Sequence, residues 1–186
     1  INMEITVIGC GNAFSERNFN QAFVIEEDGR KLLIDCGYQV PTALRASGIS
    51  HKDIDDIYIS HLHADHIGDI PGLLGSLAKA GRVDPVEIWG GGSEDPDLGL
   101  AAFVDHMGKA LAWDTASLRG VAPTTGCAAI AHEIPYDRPE TVYERNGVTI
   151  SSFPAIHGLS GAVGYSITYA GRKVVFSGDT RPCKHV

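Results

Sequence analysis

The feature that most constrains this chain is a six-residue run containing three histidines and one aspartate, His61-Leu62-His63-Ala64-Asp65-His66. The run directly follows residues 56–60, an apolar segment that predicts a β-strand. After a strand, histidines at i and i+2 can face one edge of a sheet, and the next turn aims Asp65 and His66 at a neighbouring point. Imidazole and carboxylate groups are ligands for zinc and other first-row metals. A chance histidine-rich loop is the alternative, but the spacing favours a metal centre.

Length and composition fit a folded protein with a single domain over residues 1–186. Hydrophobic residues make up 44% and charged residues 20% of the chain, which excludes a disordered tail. No apolar run approaches the roughly 18 residues that a membrane span needs. The first residues lack a basic patch followed by an apolar stretch, so we predict no secretory signal and a cytoplasmic location. The four cysteines form no CxxC pair, which favours reduced thiols.

The charge balance bears on the partners of the protein. Fifteen Lys and Arg residues face 23 Asp and Glu residues, which gives a formal net charge of −8. Proteins that bind nucleic acid without sequence preference depend on phosphate neutralisation and are usually basic. We therefore expect no sequence-independent nucleic-acid binding, and the lack of a long apolar run predicts no membrane partner.

Strand and helix patterns are mixed in both halves, which predicts an α/β (α+β) fold. Apolar alternation and turn residues predict strands at 3–8, 22–26, 31–35, 56–60, 86–89 and 173–177, and helices at 41–47, 71–80 and 97–113. Asp28-Gly29, Asn146-Gly147 and Ala170-Gly171 predict tight turns between strands. Residues 116–134 show no clear pattern.

Two further side chains stand where predicted strands end. His157 follows a strand and enters a glycine-containing loop, and Asp179 follows the strand at 173–177. Taken alone, His157 fits a surface loop and Asp179 fits a turn or a helix cap. Strand ends are where open sheets collect ligands, so both are candidates to complete a metal centre with the HxHxDH run.

The order of these motifs, HxHxDH, a histidine at a strand end and then Gly178-Asp179-Thr180 at another, resembles the metallo-β-lactamase superfamily. The resemblance implies an αββα sandwich of two mixed sheets flanked by helices, with a two-metal site along one edge. It also implies that Asp35, at the end of its strand, orients metal ligands through hydrogen bonds. The implied metal ligands are His61, His63 and His157 for the first metal, Asp65 and His66 for the second, and Asp179 as the bridge between them.

Within the superfamily, residues 65–74 and 178–183 are similar to ribonuclease Z and its phosphodiesterase relatives. Ribonuclease Z enzymes usually carry a long tRNA-gripping arm between the third histidine and the bridging aspartate, whereas here 21 residues separate His157 from Asp179. With the acidic charge, this argues against cleavage of tRNA precursors. The superfamily also supplies a further histidine well downstream, but seven residues follow Asp179. We therefore expect the chain to stop before the last part of the fold.

The activity that the resemblance implies is metal-dependent hydrolysis by a metal-activated hydroxide, with Asp65 as the catalytic residue that orients it or accepts its proton. Zinc is the expected metal, with manganese or iron as alternatives. The expected substrate is a phosphodiester in a small-molecule or nucleotide-like compound. Alternatives are an ester, lactone or other acyl substrate, redox chemistry on iron, and a metal-binding remnant with an incomplete second site. Uncovered sheet edges would favour a homodimer.

Other chemically notable residues fit structural roles. They are His51, His106 and His132 as surface or helix residues, Cys10 and Cys36 as small buried side chains, Gly90–Gly92 as a turn, and Trp89 and Trp113 as core or pocket-wall residues.

Overall fold

The computed structural model describes residues 2–185, in which ten β-strands form two sheets and five α-helices connect them. The strands are β1 (Met3–Gly9), β2 (Ala22–Glu27), β3 (Arg30–Ile34), β4 (Ile54–Ile59), β5 (Val86–Gly91), β6 (Ala129–Ile134), β7 (Glu140–Arg145), β8 (Val148–Pro154), β9 (Val163–Tyr169) and β10 (Arg172–Phe176). The helices are α1 (Val40–Ala46), α2 (Ala64–Ile67), α3 (Ile70–Lys79), α4 (Leu100–Ala110) and α5 (Ala112–Ser117). Within this range no helix has the length and apolarity to cross a membrane.

The first sheet has six strands in the order β1-β2-β3-β4-β5-β6. Its first three strands are antiparallel, and the Asp28-Gly29 turn between β2 and β3 has positive φ angles of 47° and 83°, as the sequence predicts. Strands β3 to β6 are parallel to one another. Their carboxyl ends therefore meet at one edge of the sheet, where side chains from separate segments can converge.

The second sheet has four strands in the order β10-β9-β8-β7. The resemblance led us to expect a mixed sheet, but these four strands are antiparallel throughout, because each follows its neighbour through a short connection. The predicted turns at Asn146-Gly147 and Ala170-Gly171 are confirmed. The amide of Val163 at the start of β9 donates to the carbonyl of Ser60 (2.9 Å), which joins this sheet to the end of β4.

Two apolar clusters make up most of the core. The first lies between helices and the outer face of the six-stranded sheet, and its fully buried members include Leu33, Leu44, Ile57, Leu73, Ile88 and Leu100. The second lies between the two sheets and includes Ile25, Leu32, Tyr58, Ile150, Tyr165 and Ile167. The hydroxyl of Tyr165 donates to the carbonyl of Ile59 (2.7 Å), so this buried phenol keeps a hydrogen-bond partner. The predicted α/β fold with two sheets is confirmed.

The interpretation of Gly90–Gly92 as a turn is wrong for its first two residues, because β5 continues through Gly91. A Cβ atom at Gly91 would fall against the carbonyl oxygen of Gly161, well inside contact distance. The glycine is needed because the loop after β8 packs directly on the backbone of β5. It therefore serves close packing rather than chain reversal.

Two burial predictions are also wrong. Trp113 is 80% exposed, because α4 ends at Ala110 and the short helix α5 does not continue its apolar stripe. Cys10 is exposed beyond the irregular end of β1, whereas Cys36 is fully buried as expected. All four cysteines are free thiols, as the absence of CxxC pairs predicts.

Candidate metal centre

The HxHxDH run lies at the carboxyl end of β4, in the interior of the six-stranded sheet. Strand β4 is buried along almost its whole length and pairs with parallel neighbours on both sides, so its end is fixed in position. His61 and His63 follow it, with His63 in extended backbone, and the one-turn helix α2 then carries Asp65 and His66. The turn closes with the His66 amide donating to the carbonyl of His63 (2.9 Å). Local structure alone therefore brings four candidate ligands together.

The second sheet delivers the remaining two candidates. Strands β8 and β10 both pair antiparallel with β9, so they run in the same direction and end at the same edge. His157 follows β8, and Asp179 follows β10. The two loops are tied together because the amide of Ile156 donates to Oγ1 of Thr180 (2.9 Å).

The imidazoles of His61, His63 and His157 form the first group of donors. Nε2 of His61 and Nε2 of His157 each lie 3.0 Å from Nδ1 of His63, and the three donor atoms lie within 4.8 Å of one another. A tetrahedral zinc ion with nitrogens at about 2.0–2.1 Å places neighbouring ligand atoms roughly 3.3 Å apart. Two of the three nitrogen–nitrogen distances are thus close to the spacing that one such ion requires, and the donor set of three imidazoles fits the group.

A second group of donors consists of His61, His66 and Asp179, again within 4.8 Å of one another. Oδ1 of Asp179 lies 3.6 Å from Nε2 of His66, and its Oδ2 lies 3.8 Å from Nε2 of His157, so the carboxylate faces both groups. Asp65 lies outside both groups, but its Oδ2 is 3.5 Å from Nε2 of His66. The structure therefore brings all six predicted ligands together, while the role of each remains a prediction.

Asp35 lies beneath these donors and is 1% exposed. It accepts hydrogen bonds from the amide of Ser60 (2.8 Å), the hydroxyl of Ser60 (2.8 Å) and Nδ1 of His66 (2.7 Å). Because the Ser60 hydroxyl proton points to Asp35, the Ser60 oxygen is free to accept from Nδ1 of His61 (3.1 Å). Both Nδ1 atoms are thus donors, which leaves the lone pair of each Nε2 facing the centre. This is the arrangement by which a buried carboxylate orients metal-binding histidines.

The two buried histidines have opposite electrostatic surroundings. Burial, together with charge repulsion from the neighbouring imidazoles, lowers the pKa of His61 to about 3. Burial also acts to lower the pKa of His66, but the hydrogen bond to Asp35 and the nearby carboxylate charges outweigh it, so that pKa is raised. His61 is therefore neutral at physiological pH, the form that a metal ligand must have.

A cavity of about 320 Å³ opens beside the first group of donors. His61, His63 and His157 line it, together with Phe103 and His106 from α4. The sequence gives His106 no chemical role because it lacks ligand spacing. The spacing of residues along the chain could not show that α4 forms part of the cavity wall.

Two other residues were also missed, for a related reason. The Ser60 hydroxyl links Asp35 to His61 by hydrogen bonds. Its position between a buried strand and the HxHxDH run is the sequence feature that could have indicated this role. Glu133 at the end of β6 accepts a hydrogen bond from the amide of Ala101 in the first turn of α4 (3.0 Å), which has no side-chain cap of its own. No short-range pattern links residues 32 positions apart.

Comparison of folds places this architecture in a known class: the chain has the metallo-β-lactamase fold. The metallo-β-lactamase fold protein YhfI from Bacillus subtilis superposes on 95% of this chain with a TM-score of 0.66. The identity is 22%, and 63% of the YhfI chain is covered. It matches the human tRNase Z, short form, over 94% of its length, with a TM-score of 0.70, 24% identity and 68% of that chain covered. These neighbours confirm the fold that the resemblance implied.

Sequence comparison narrows the resemblance within that class. The chain is 42% identical to the ribonuclease Z of Clostridium beijerinckii over 89 residues. This aligned segment makes up 47% of this chain and 29% of that protein. The family model of anti-Pycsar protein Apyc1 matches residues 3–78. The predicted similarity to the ribonuclease Z branch is thus confirmed, and the match spans less than a third of that relative's length.

Proposed function

We propose that this chain forms the metal-binding part of a hydrolase that cleaves phosphodiesters, with two divalent ions bound by the two donor groups. The observation that carries the proposal is the carboxylate of Asp179, whose two oxygens face His66 and His157 at 3.6 and 3.8 Å. A carboxylate with one oxygen toward each of two donor groups is suited to link two cations a few ångströms apart. The ribonuclease Z relative supports the substrate class, because RNA is joined by phosphodiester bonds.

The residues of the chain would contribute in different ways. Divalent ions bound here would lower the pKa of water and neutralise charge on phosphate oxygens. Asp35 holds His66 in place, so its Nε2 does not have to reorient during the reaction. Asp65, with Oδ2 3.5 Å from that Nε2, lies where it can accept a proton from an attacking water molecule.

We propose zinc as the metal, with manganese and iron as alternatives, because the candidate ligands are four imidazoles and two carboxylates. We propose a small-molecule or nucleotide-like substrate rather than long nucleic acid, since the chain carries a net charge of −8. A cytoplasmic location, supported by the free thiols, and a homodimer also remain proposals. Light scattering after size exclusion would test the dimer.

Metal stoichiometry and turnover together test the proposal. We expect two zinc equivalents per chain by mass spectrometry after reconstitution, and hydrolysis of bis(p-nitrophenyl) phosphate by the loaded protein. One equivalent without turnover would instead support a metal-binding protein with an incomplete second site. Faster turnover of p-nitrophenyl acetate than of the phosphodiester would favour an acyl substrate.

The Asp65→Ala variant tests the proton acceptor. Its turnover should fall by about 10²- to 10⁴-fold, as expected when a general base is removed. Asp137→Ala is the matched control, because Asp137 is exposed and pairs only with neighbouring Arg138 among the described ion pairs. Hydrolysis by Asp65→Ala at the rate of the control would exclude the assigned role.

A further inference from the structure

The cavity beside the centre is asymmetric with respect to the candidate ligands. Its lining includes His61, His63 and His157 but not His66 or Asp179. A phosphorus ester at the centre would therefore have space for a substituent on the side of the first donor group.

The walls of this cavity are mainly apolar, and their described residues carry no permanently charged cation. Phe103, Leu98 and Leu159 supply apolar surface, whereas Asp97, His106 and Ser160 supply the polar groups. No lysine or arginine is among the described residues that line it. A second phosphate or a carboxylate on the substituent would thus meet the Asp97 carboxylate without a lysine or arginine to compensate it, which disfavours an anionic substituent.

The walls are held together by contacts that do not involve the candidate ligands. Oγ of Ser160 accepts a hydrogen bond from the amide of Glu94 (2.9 Å) and lies 3.1 Å from Oγ of Ser93, which connects the loop after β8 to the loop after β5. Glu133 accepts from the amide of Ala101 and so fixes the start of α4, the helix that carries Phe103 and His106. The cavity is therefore a built feature of the fold.

We propose that this cavity binds a neutral, mainly apolar substituent of the phosphodiester, the size of one or two aromatic rings, with His106 contacting a polar edge of the ring. The proposal rests on the proposed function for its link to the phosphodiester. The volume of about 320 Å³ lies at the small end of ligand pockets, which fits a ring system rather than a long chain. Phe103 offers a ring against which an aromatic group can stack.

The first experiment tests the cavity without any metal. Metal-free protein labelled at its leucine methyl groups is titrated with benzyl alcohol, and the methyl signals are followed by NMR. Shifts concentrated at Leu62, Leu98 and Leu159 would support the proposal, since these three leucines line the cavity. Shifts spread evenly over the leucines, or none at these three, would overturn it.

The second experiment links the cavity to the phosphorus ester. Zinc-loaded protein is titrated calorimetrically with phenyl phosphate and with methyl phosphate, and phenyl phosphate should bind about tenfold more tightly. Leu159→Ser and His106→Ala should each reduce that preference. Val121→Ser is the control for replacing an exposed apolar side chain by serine. Val121 is 80% exposed and Leu159 is 73% exposed, but Val121 is not among the residues that line the cavity.

The outcomes separate this inference from the proposed function. Zinc binding with equal affinity for the two phosphates overturns the inference and leaves the proposed function intact. Failure to bind zinc contradicts the proposed function, and the benzyl alcohol titration of the metal-free protein then decides the inference. Loss of the phenyl preference in Val121→Ser as well as in Leu159→Ser would also count against the cavity.

Discussion

The candidate metal centre has two halves that differ in how the protein holds them. We define the inner half as Asp35, Ser60, His61 and His66, and the outer half as His63, His157 and Asp179. Residues of the inner half are at most 7% exposed, whereas the side chains of His157 and Asp179 are 31% and 42% exposed. Polar groups of the inner half bond to one another, while those of the outer half mainly face other donors.

This difference separates candidate ligands whose polar groups also stabilise the fold, which are His61 and His66, from those of the outer half, which mainly serve to bind an ion. The hydrogen bonds of Asp35 compensate the burial of polar groups, so the inner half forms whether or not an ion is present. In the outer half, Nε2 of His157 lies 3.0 Å from Nδ1 of His63, and a bound cation would stabilise this close approach of two nitrogens. Folding stability and metal affinity should therefore respond to different substitutions.

The largest effect is expected for Asp35→Ala in the inner half. The change leaves the amide and hydroxyl of Ser60 and Nδ1 of His66 without their buried acceptor, so the free energy of unfolding should fall by about 3 kcal/mol. Urea denaturation of the metal-free protein measures it. Asp179→Ala is the control in the outer half and should change stability by less than about 0.5 kcal/mol. Equal losses in the two variants would remove the distinction between the halves.

The sequence predicts which candidate ligands lie together where those ligands are local in the chain. The HxHxDH run sets the positions of four donors because a strand and a one-turn helix fix them within six residues. His157 and Asp179 were identified from their place at strand ends and from the superfamily resemblance. The tight turns were predictable because each contains a glycine, which adopts positive φ angles without strain.

Residues that act through distant packing could not be found in the same way. Glu133 contacts α4 across 32 residues, and His106 reaches the cavity only because α4 passes beside the sheet edge. Gly91 lies in a glycine run that is typical of a turn, and its need for close packing depends on the loop that contains Gly161. Trp113 was misplaced because its apolar character does not reveal that the helix axis breaks after Ala110.

A loss of about 2 kcal/mol in stability is expected for Gly91→Ala. The added Cβ would overlap the carbonyl oxygen of Gly161, and because the Cβ has no torsional freedom and the carbonyl is backbone, the loop that carries His157 must move. Gly72→Ala is the matched control, since nothing lies within 4 Å of a Cβ there and Gly72 is inside α3. That control should gain about 0.5–1 kcal/mol in urea denaturation. Unchanged stability in Gly91→Ala would show that the loop shifts at no cost.

For the outer half, His157→Ala should affect metal affinity more than stability. Removal of one of three imidazoles in the first donor group should weaken zinc binding by at least about tenfold, which is about 1.4 kcal/mol. Competition with a chromophoric chelator measures the affinity, and urea denaturation of the metal-free protein should show a change below about 0.5 kcal/mol. His106→Ala is the control, because His106 lines the same cavity but lies outside both donor groups. Equal zinc affinities for the two variants would exclude His157 as a ligand.

The smallest effect is expected at Glu133, which supports the wall of the cavity. Its carboxylate accepts the amide hydrogen of Ala101 at the positive end of α4, so Glu133→Ala should lower the free energy of unfolding by about 1 kcal/mol. Glu133→Gln keeps an acceptor but loses the charge, and its loss should be about half as large. Leucine methyl NMR should show movement at Leu98, whereas the zinc affinity stays unchanged because no candidate ligand contacts α4 through Glu133. A fall in zinc affinity equal to that of His157→Ala would show instead that α4 supports the outer half. The cavity wall and the metal centre would then not be independent of each other.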